Sequence, residues 1–340
     1  MGLKQNFDFL EKRKRTMKTL LKLTVAGALL CLLLQVSSLA QENSPYRVTD
    51  DQGNTVHIFP TPSMAGTIPA PAGALSYHGG PIMPSVTTYV IFWVPPTLQN
   101  GHSTSLSAKY ESVVKSLMAD YPGHGIANNS TQYYSVTGGV DHYFLNAGSF
   151  AGYYVDTNPY PASGCTDPVT PGNCITDAQL RTEIARVLAL KGWTSGLGKM
   201  YLVFTSTGEG SCSGSSCAYT AYCAYHGYYG SASSPVIYGN EPYADPNYCY
   251  AGSQHDPSGD KPSDAAVNVA SHEITEATTD PELNAWWDTA NGEEIGDLCA
   301  WNFGTDTWDS SLANQMWNGD FYDLQLEYDN HVSGCVQVGP

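Results

Sequence analysis

The residues with the clearest chemical pattern lie in SHEITEATTDP, residues 271–281. Zinc peptidases carry H-E-x-x-H on a helix, where two histidines hold the metal and the glutamate acts on water. His272 and Glu273 match the start of that motif, but Glu276 stands at the position of the second histidine. Because a carboxylate can replace imidazole as a zinc ligand, His272 and Glu276, one helical turn apart, are predicted to bind a divalent cation.

The remaining groups of such a site must come from neighbouring positions. Glu273 is rotated by about 100° from the ligand before it, so we expect it to act as general base toward a metal-bound water. The segment NGEEIGDLC, residues 291–299, offers Glu294 or Asp297 as a third ligand. One histidine and two carboxylates form a hard, anionic set, so the expected cofactor is one divalent cation, Zn²⁺ first and Ca²⁺ or Mn²⁺ as alternatives.

Other interpretations of these residues stay open. A solvated acidic helix face would give the same letters in a chain with 32 acidic residues. His226, in CAYHGYY, could be a metal ligand or a proton donor and is taken as an auxiliary catalytic residue. His78, in YHGGP, has the same ambiguity, since an isolated histidine among tyrosines is usually a packed or surface side chain.

The motif needs a helix to position it, and the sequence predicts one. Ser263 or Asp264 can cap its start, and it should end at Ala277 or Thr278 because Pro281 follows. Apolar residues at helical spacing would face the core: Val267, Ala270, Ile274 and Ala277.

Further elements alternate along the chain. Helices are predicted from about residue 105 to 119 and from a capping box at Thr176 and Gln179 to Lys191. Strands are predicted at residues 86–94, 132–156 and 200–205. Residues 211–250 should be disulfide-tied loops and short strands. This order predicts an α/β fold, an α+β mixed sheet with packed helices, and by analogy a zincin-like single domain stabilised by disulfides.

The first forty residues have the features of a signal peptide. A basic segment precedes an apolar run at residues 23–34, and Ser38-Leu39-Ala40 gives a cleavage site near Ala40. The run is too short for a stable membrane span, and no later segment approaches twenty apolar residues. Residues 41–84, rich in Pro, Gly and Ser, are predicted to be an extended lead-in, followed by one domain at residues 85–340.

Charge and cysteine content agree with export. The formal net charge is −17, which argues against nucleic acid or anionic membrane as partners and also serves solubility. Without Cys31 in the leader, eight cysteines remain and predict four disulfides. A Cys-rich zinc site is the alternative, although no C-x-x-C pair occurs. Among 105 possible pairings, we expect neighbours to pair: Cys165–Cys174, Cys212–Cys217, Cys223–Cys249 and Cys299–Cys335.

Several segments together resemble the EXORDIUM (phosphate-induced) family and its bacterial relatives. They are YHGGPIMPSVTTYVIFW at 77–93, MYLVFTS at 200–206, CAYHG at 223–227, VNVASHEITEATTDPELNAWWD at 267–288 and the regions of Cys299 and Cys335. The resemblance implies a secreted or cell-wall-associated protein, linked in plants to growth responses, and implies no particular enzyme activity.

The leading functional hypothesis is a secreted metal-dependent hydrolase, a peptidase, acting on an extracellular peptide, protein or polysaccharide. The alternative is a non-catalytic extracellular or cell-wall binding protein in which the motif holds a structural cation. Its 23 tyrosines, and pairs such as Tyr228-Tyr229 or Trp286-Trp287, could line a groove for sugar or peptide. A glycosidase, which needs two carboxyl groups at a set distance, is a third possibility.

Overall fold

A seven-stranded mixed sheet forms the centre of the structure, a computed structural model that describes residues 44–50, 52–68, 73–305 and 311–340. Strands and helices are numbered here in chain order. The sheet contains β1 (Arg47–Thr49), β2 (Thr55–Pro60), β4 (Thr87–Trp93), β7 (Ser149–Asp156), β9 (Lys199–Thr205), β12 (Tyr222–Ser231) and β13 (Ser234–Glu241). Their spatial order is β1-β2-β12-β13-β9-β4-β7.

Strand direction divides this sheet into two halves. The pairs β1–β2, β2–β12 and β12–β13 are antiparallel, whereas β13–β9, β9–β4 and β4–β7 are parallel. The remaining strands are short: β3 (Ser76–Tyr77), β5 (Tyr134–Thr137), β6 (Val140–Tyr143), β8 (Cys174–Thr176), β10 (Gly210–Ser213), β11 (Ser216–Cys217), β14 (Trp286–Trp287), β15 (Gln315–Trp317), β16 (Asp320–Tyr322), β17 (Glu327–Asp329) and β18 (Gly334–Val336).

The α-helices cover both faces of the sheet. They are α1 (Pro62–Ala65), α2 (Ala108–Asp120), α3 (Asp177–Lys191) and α4 (Lys261–Thr279), with 3₁₀ turns at Gly125–Gln132 and Asp297–Cys299. Helices α2 and α4 share one hydrophobic core with alternate residues of β4, such as Val90 and Phe92. On the other face of the sheet, helix α3 packs against Ile91 and Trp93, which alternate with Val90 and Phe92 along β4. The mixed α/β prediction is confirmed.

Helix boundaries follow local sequence signals closely. Thr176 and Gln179 form the predicted capping box of α3, and Gly192 ends it with a left-handed φ of 65°. Helix α2 begins at Ala108 because Ser107 caps it, slightly later than expected. The motif helix α4 is longer than predicted at its start, with Asp260 at the N-cap.

Two predictions about the rest of the sheet need correction. Residues 41–84 are not only an extended lead-in, because β1 and β2 lie in this range and β2 pairs with β12. The sheet therefore begins before the proposed domain start at 85. Residues 211–250 contain the long hairpin β12–β13 as well as short strands, and the tyrosines of β12 and the Val-Ile-Tyr run of β13 are residue types that favour strands.

Four disulfides connect the predicted neighbours. The pairs are Cys165–Cys174, Cys212–Cys217, Cys223–Cys249 and Cys299–Cys335. This pairing removes the thiols that a Cys-rich zinc site would need, and disulfides are typical of oxidising compartments. The predicted signal peptide lies outside the described residues. Within the described ranges, every helix is too short or too polar to cross a membrane.

Candidate metal centre

The motif helix α4 is buried on all sides. It packs against β12 and β13 and against helix α2, and every residue from 263 to 279 is buried. Glu273 and Glu276 are both 0 % exposed. The interpretation of SHEITEATTDP as a solvated acidic helix face is therefore wrong.

Three predicted ligands meet at the C-terminal half of this helix. The Nε2 atom of His272 lies 3.1 Å from Oε2 of Glu276 and 3.9 Å from Oδ1 of Asp297. None of these three atoms has a hydrogen-bond partner among the described residues. Donors of one tetrahedral zinc ion lie about 3.3 Å apart when each is about 2.0–2.1 Å from the metal. The spacing of these three atoms, called here the His272 set, fits a shared cation.

The segment after α4 reaches the helix through backbone contacts. The amide of Asp297 donates to Oε1 of Glu276 (3.1 Å), and the amide of Glu294 donates to Oδ2 of Asp297 (2.9 Å). A Cβ atom at Gly296 would lie 2.5 Å from Nδ1 of His272, so close packing requires glycine there. The disulfide of Cys299 anchors the end of this segment. Glu294 and Asp297, predicted as alternatives, both reach the site.

His226 enters the same site from strand β12. Its Nδ1 lies 3.2 Å from Oε2 of Glu273, within hydrogen-bonding geometry, and 3.7 Å from Oε2 of Glu276. Its Nε2 has no hydrogen-bond partner among the described residues and faces Oε2 of Glu294 at 3.7 Å. The structure therefore brings His226 to the motif, as a neighbour of Glu273.

A third histidine, His57, was not predicted as a site residue. It lies on β2 directly opposite His226 of β12. Its Nε2 is 2.6 Å from Oδ2 of Asp297, and its Nδ1 is 3.1 Å from Oε1 of Glu294. Sequence reasoning missed it because it belongs to the segment interpreted as a lead-in. The available signal was TVHIFP, a short β-branched and aromatic run that could have been recognised as a strand.

The seven residues form what we call the buried cluster. Three imidazoles and four carboxylates contribute to it, and each is at most 3 % exposed: His57, His226, His272, Glu273, Glu276, Glu294 and Asp297. Glu276 is common to three groups of potential ligands in this cluster.

The electrostatics of the buried cluster are dominated by burial. Burial lowers the pKa of His57, and lowers that of His226 to about 3, although Glu276 opposes this. Burial also disfavours ionised Glu276, but neighbouring imidazoles, above all His272, lower its pKa to about 2. His57 and His226, whose pKa values burial lowers, supply little of that positive charge.

The other three carboxyl groups show the opposite shift. Burial, reinforced by nearby carboxylates, raises the pKa of Glu273, Glu294 and Asp297 well above the usual range. Glu241, at the end of β13, adds to the repulsion at Glu273. A concentration of buried acids of this kind is stable only with protons or cations among them.

The outer nitrogen of His272 is positioned by Gln325. The Gln325 side-chain amide lies 2.9 Å from His272 Nδ1, donates to the carbonyl of Gly296 (3.0 Å) and accepts from the amide of Trp301 (3.2 Å). In this orientation the amide nitrogen faces the ring.

The remaining sequence candidates lie elsewhere. His78 stacks on Trp287 with ring centroids 3.5 Å apart, and its Nε2 is 3.0 Å from the hydroxyl of Ser76, so it is a packing residue. Trp286 and Trp287 are 7 % and 5 % exposed. They are packed inside and do not offer the open stacking surface that was considered for them.

Comparison with known proteins gives no relative. No family model matches the chain, no curated protein matches it, and no solved structure matches it.

Proposed function

We propose that this protein is a secreted metal-dependent hydrolase that cleaves peptide bonds in extracellular substrates. His272, Glu276 and Asp297 would hold a divalent cation, and Glu273 would be the general base. The observation that carries the proposal is the convergence of three fully buried donor atoms without partners at 3.1 and 3.9 Å. Such atoms are costly unless they share a proton or a cation.

The chemistry follows from the positions of Glu273 and His226. A divalent cation supplies Lewis acidity and lowers the pKa of water. Glu273 Oε1 has no partner among the described residues, while Oε2 is held by His226 at 3.2 Å. Glu273 therefore has one oxygen fixed by His226 and one oxygen available to accept a proton from water. His226 orients this base and, as its neighbour, can take part in passing the proton on.

The surrounding architecture supports a zincin-like proposal by analogy. A buried motif helix packs against a mixed sheet, and the third ligand comes from a segment that follows the helix. This analogy concerns the arrangement of elements, so the assignment of function depends on the site. The resemblance to the EXORDIUM family is kept as a proposal about ancestry and an extracellular location.

The proposed reaction requires that a peptide substrate can reach the buried cluster. The cluster is enclosed, and part of its cover is Tyr46, whose ring stacks parallel to His57 with centroids 5.9 Å apart. The Tyr46 hydroxyl donates to Oε1 of Glu293 (3.2 Å). A peptide reaches the cation only if this cover moves, as lids do in many enzymes.

The substitution Glu273→Gln tests the catalytic role. We expect it to lower the rate of peptide hydrolysis at least about 100-fold, as loss of a general base does, while the bound metal is retained. The assay is the cleavage of a denatured protein and of a mixed peptide library, with and without chelator, and Glu282→Gln is the control because Glu282 lies outside the cluster. Full activity in Glu273→Gln would contradict the mechanism.

Burial favours a second candidate, a non-catalytic extracellular protein with a structural cation. Each of the seven cluster residues is at most 3 % exposed, as in closed structural metal sites. In that case chelation would lower the melting temperature, but neither wild type nor Glu273→Gln would release products. Retention on insoluble polysaccharide that is unchanged by chelator would then identify the bound partner.

A further inference from the structure

We propose that two disulfides beside the start of helix α3 form a thiol–disulfide exchange centre. A small external thiol enters at Cys165, and the Cys165–Cys174 and Cys212–Cys217 bonds then exchange partners. Both disulfides belong to the three-stranded sheet β11-β10-β8 and the segment that precedes it. The inference is independent of the proposed cation, because no residue of the buried cluster takes part in the exchange.

Contact between the sulfurs of the two disulfides is the first argument. Sγ of Cys174 lies 3.5 Å from Sγ of Cys212, and the sulfurs of Cys165, Cys174 and Cys212 all lie within 4.8 Å of one another. Strands β8 and β10 pair in parallel, so the backbone holds these sulfurs side by side. Exchange proceeds by attack of a thiolate on a disulfide sulfur. A thiolate released at Cys174 would already touch its target.

A cavity beside the disulfides gives an external thiol access to them. Its volume is about 380 Å³, and its lining includes Cys165, Cys212 and Cys217. Pockets for small ligands have volumes of about 300–1,000 Å³, so a small thiol fits. Cys165 is partly exposed, whereas Cys174 is 0 % exposed. The external thiol therefore attacks Cys165, and Cys174 is the leaving group.

Each step conserves the number of disulfide bonds, so nothing is oxidised or reduced overall. The external thiolate bonds to Cys165 and breaks the Cys165–Cys174 bond, which releases Cys174 as a thiolate. Cys174 then bonds to Cys212 and releases Cys217, which takes up the proton that the external thiol lost. Sγ of Cys217 lies 3.8 Å from the carbonyl oxygen of Thr166, the residue after Cys165. From there Cys217 can attack Cys165, expel the external thiol and close a Cys165–Cys217 bond.

The Cys299–Cys335 disulfide is an internal control for this exchange. Cys335 is partly exposed, as Cys165 is. In the part of the chain that the structure describes, however, neither sulfur of this disulfide belongs to a group of three close sulfurs. A thiol that opens the Cys299–Cys335 bond has no second disulfide in contact to which the exchange could pass.

Disulfide mapping after treatment of the purified, folded protein with cysteamine tests the proposal. Cysteamine is a small cationic thiol, and the carboxyl groups of Asp50 and Asp177 in the cavity lining would repel an anionic one. After the reaction, free thiols are alkylated and the chain is cleaved on the N-terminal side of aspartates. Fragmentation of the linked peptides in the mass spectrometer assigns the bonded cysteines.

The cleavage separates the old bond from the new one. Before treatment, peptide 167–176 with Cys174 is linked to peptide 156–166 with Cys165. Exchange links it instead to peptide 177–244, which contains Cys212. This measurement is made on wild type, so it needs no variant to fold.

We expect the Cys174–Cys212 link to form at least about ten times faster than any link that contains Cys299 or Cys335. The double variant Cys212→Ser, Cys217→Ser should instead accumulate cysteamine on Cys165 and a free thiol at Cys174. In wild type, opening of the Cys165–Cys174 bond with Cys212–Cys217 left intact would overturn the exchange. Reaction at Cys335 with none at Cys165, or links spread evenly over all eight cysteines, would overturn it as well.

Discussion

Two buried carboxylate clusters lie on opposite faces of the same sheet, and their neighbours differ in kind. Tyr225 and His226 are consecutive on β12 and point to opposite faces. On one face, Oδ1 of Asp177 accepts hydrogen bonds from the hydroxyls of Tyr225 (3.1 Å) and Tyr238 (2.5 Å), and Arg181 Nε lies 2.8 Å from Oδ2. On the other face, the side-chain neighbours of Glu276 and Glu294 are the imidazoles of His57, His226 and His272.

The difference shows what a buried carboxylate needs. Asp177 has two tyrosine hydroxyls that donate to Oδ1 and one guanidinium 2.8 Å from Oδ2, although burial still raises its pKa. Glu276 and Glu294 have imidazoles and other acids as their side-chain neighbours, with no guanidinium among the contacts described here. Burial alone does not distinguish the clusters, since all these groups are buried. The chemical type of the neighbours does.

If the buried cluster binds a cation as proposed, removal of that cation should give the largest effect, and only at the buried cluster. For an ion present at about 1,000 times its dissociation constant, binding stabilises the fold by about 4 kcal/mol, which corresponds to about 8 °C in melting temperature for a domain of this size. We expect chelator to lower the melting temperature of wild type and of Asp177→Asn by similar amounts. A chelator response abolished by Asp177→Asn would mean that the clusters are not independent.

Truncation of Asp177 should give the next largest effect, on stability alone. Asp177→Ala leaves two tyrosine hydroxyls and a guanidinium without their shared acceptor, and we expect a loss of about 3 kcal/mol in the free energy of unfolding. Urea denaturation measures it, with Asp141→Ala on the exposed strand β6 as control. The bound metal should be unchanged, and a variant that folds but lacks metal would contradict the comparison.

A third buried acid, Glu209, shows how stability depends on pH when a buried carboxyl group has few hydrogen-bond donors and no cation beside it. Burial raises its pKa to about 8, although Gln99 donates to it at 2.7 Å. Between pH 4.5 and 8 the folded chain holds this proton while the unfolded chain does not, so stability falls as pH rises through that window.

The substitution Glu209→Gln should remove this pH dependence. The expected change is a slope reduced by about 1.4 kcal/mol per pH unit across the window, measured by urea denaturation between pH 5 and pH 8. Glu111→Gln, on the surface of α2, is the control and should leave the slope as in wild type. An equal slope in Glu209→Gln would show that Glu209 is ionised in the folded protein.

The smallest expected effect concerns Tyr46, which covers part of the buried cluster. Tyr46→Ala removes the ring that stacks on His57, and we expect metal transfer to a chelator to become severalfold faster with unchanged stoichiometry. Tyr46→Phe keeps the stack and loses only the hydrogen bond to Glu293, so it should exchange metal at nearly the wild-type rate. Equal rates in all three proteins would show that the metal leaves by another route.

The sequence predicted best those site residues that lie on helix α4 or close to it in the chain. Helix α4 could be predicted from its apolar spacing and from Pro281, and its motif placed His272 and Glu276 on one side. The disulfide pairs followed from neighbouring cysteines. Glu294 and Asp297 were found because they follow the helix closely, so the connection limits how far they can lie from it.

The site features that the sequence did not predict depend on pairing between distant segments of the chain. His57 and His226 are opposite each other only because β2 pairs with β12, and no local pattern encodes that register. The composition of residues 41–84 concealed β2, since Pro and Gly around it favoured an extended segment. Sequence spacing also could not show that α4 is buried on every side, which excludes a solvated acidic face.

Anomalous diffraction from crystals of the purified protein, grown without chelator, tests the central claim most directly. The account predicts anomalous density at a metal absorption edge inside the buried cluster, within about 2.0–2.3 Å of His272 Nε2 and a Glu276 oxygen. Density only at the protein surface, or none in a protein whose cluster side chains are ordered, would contradict it.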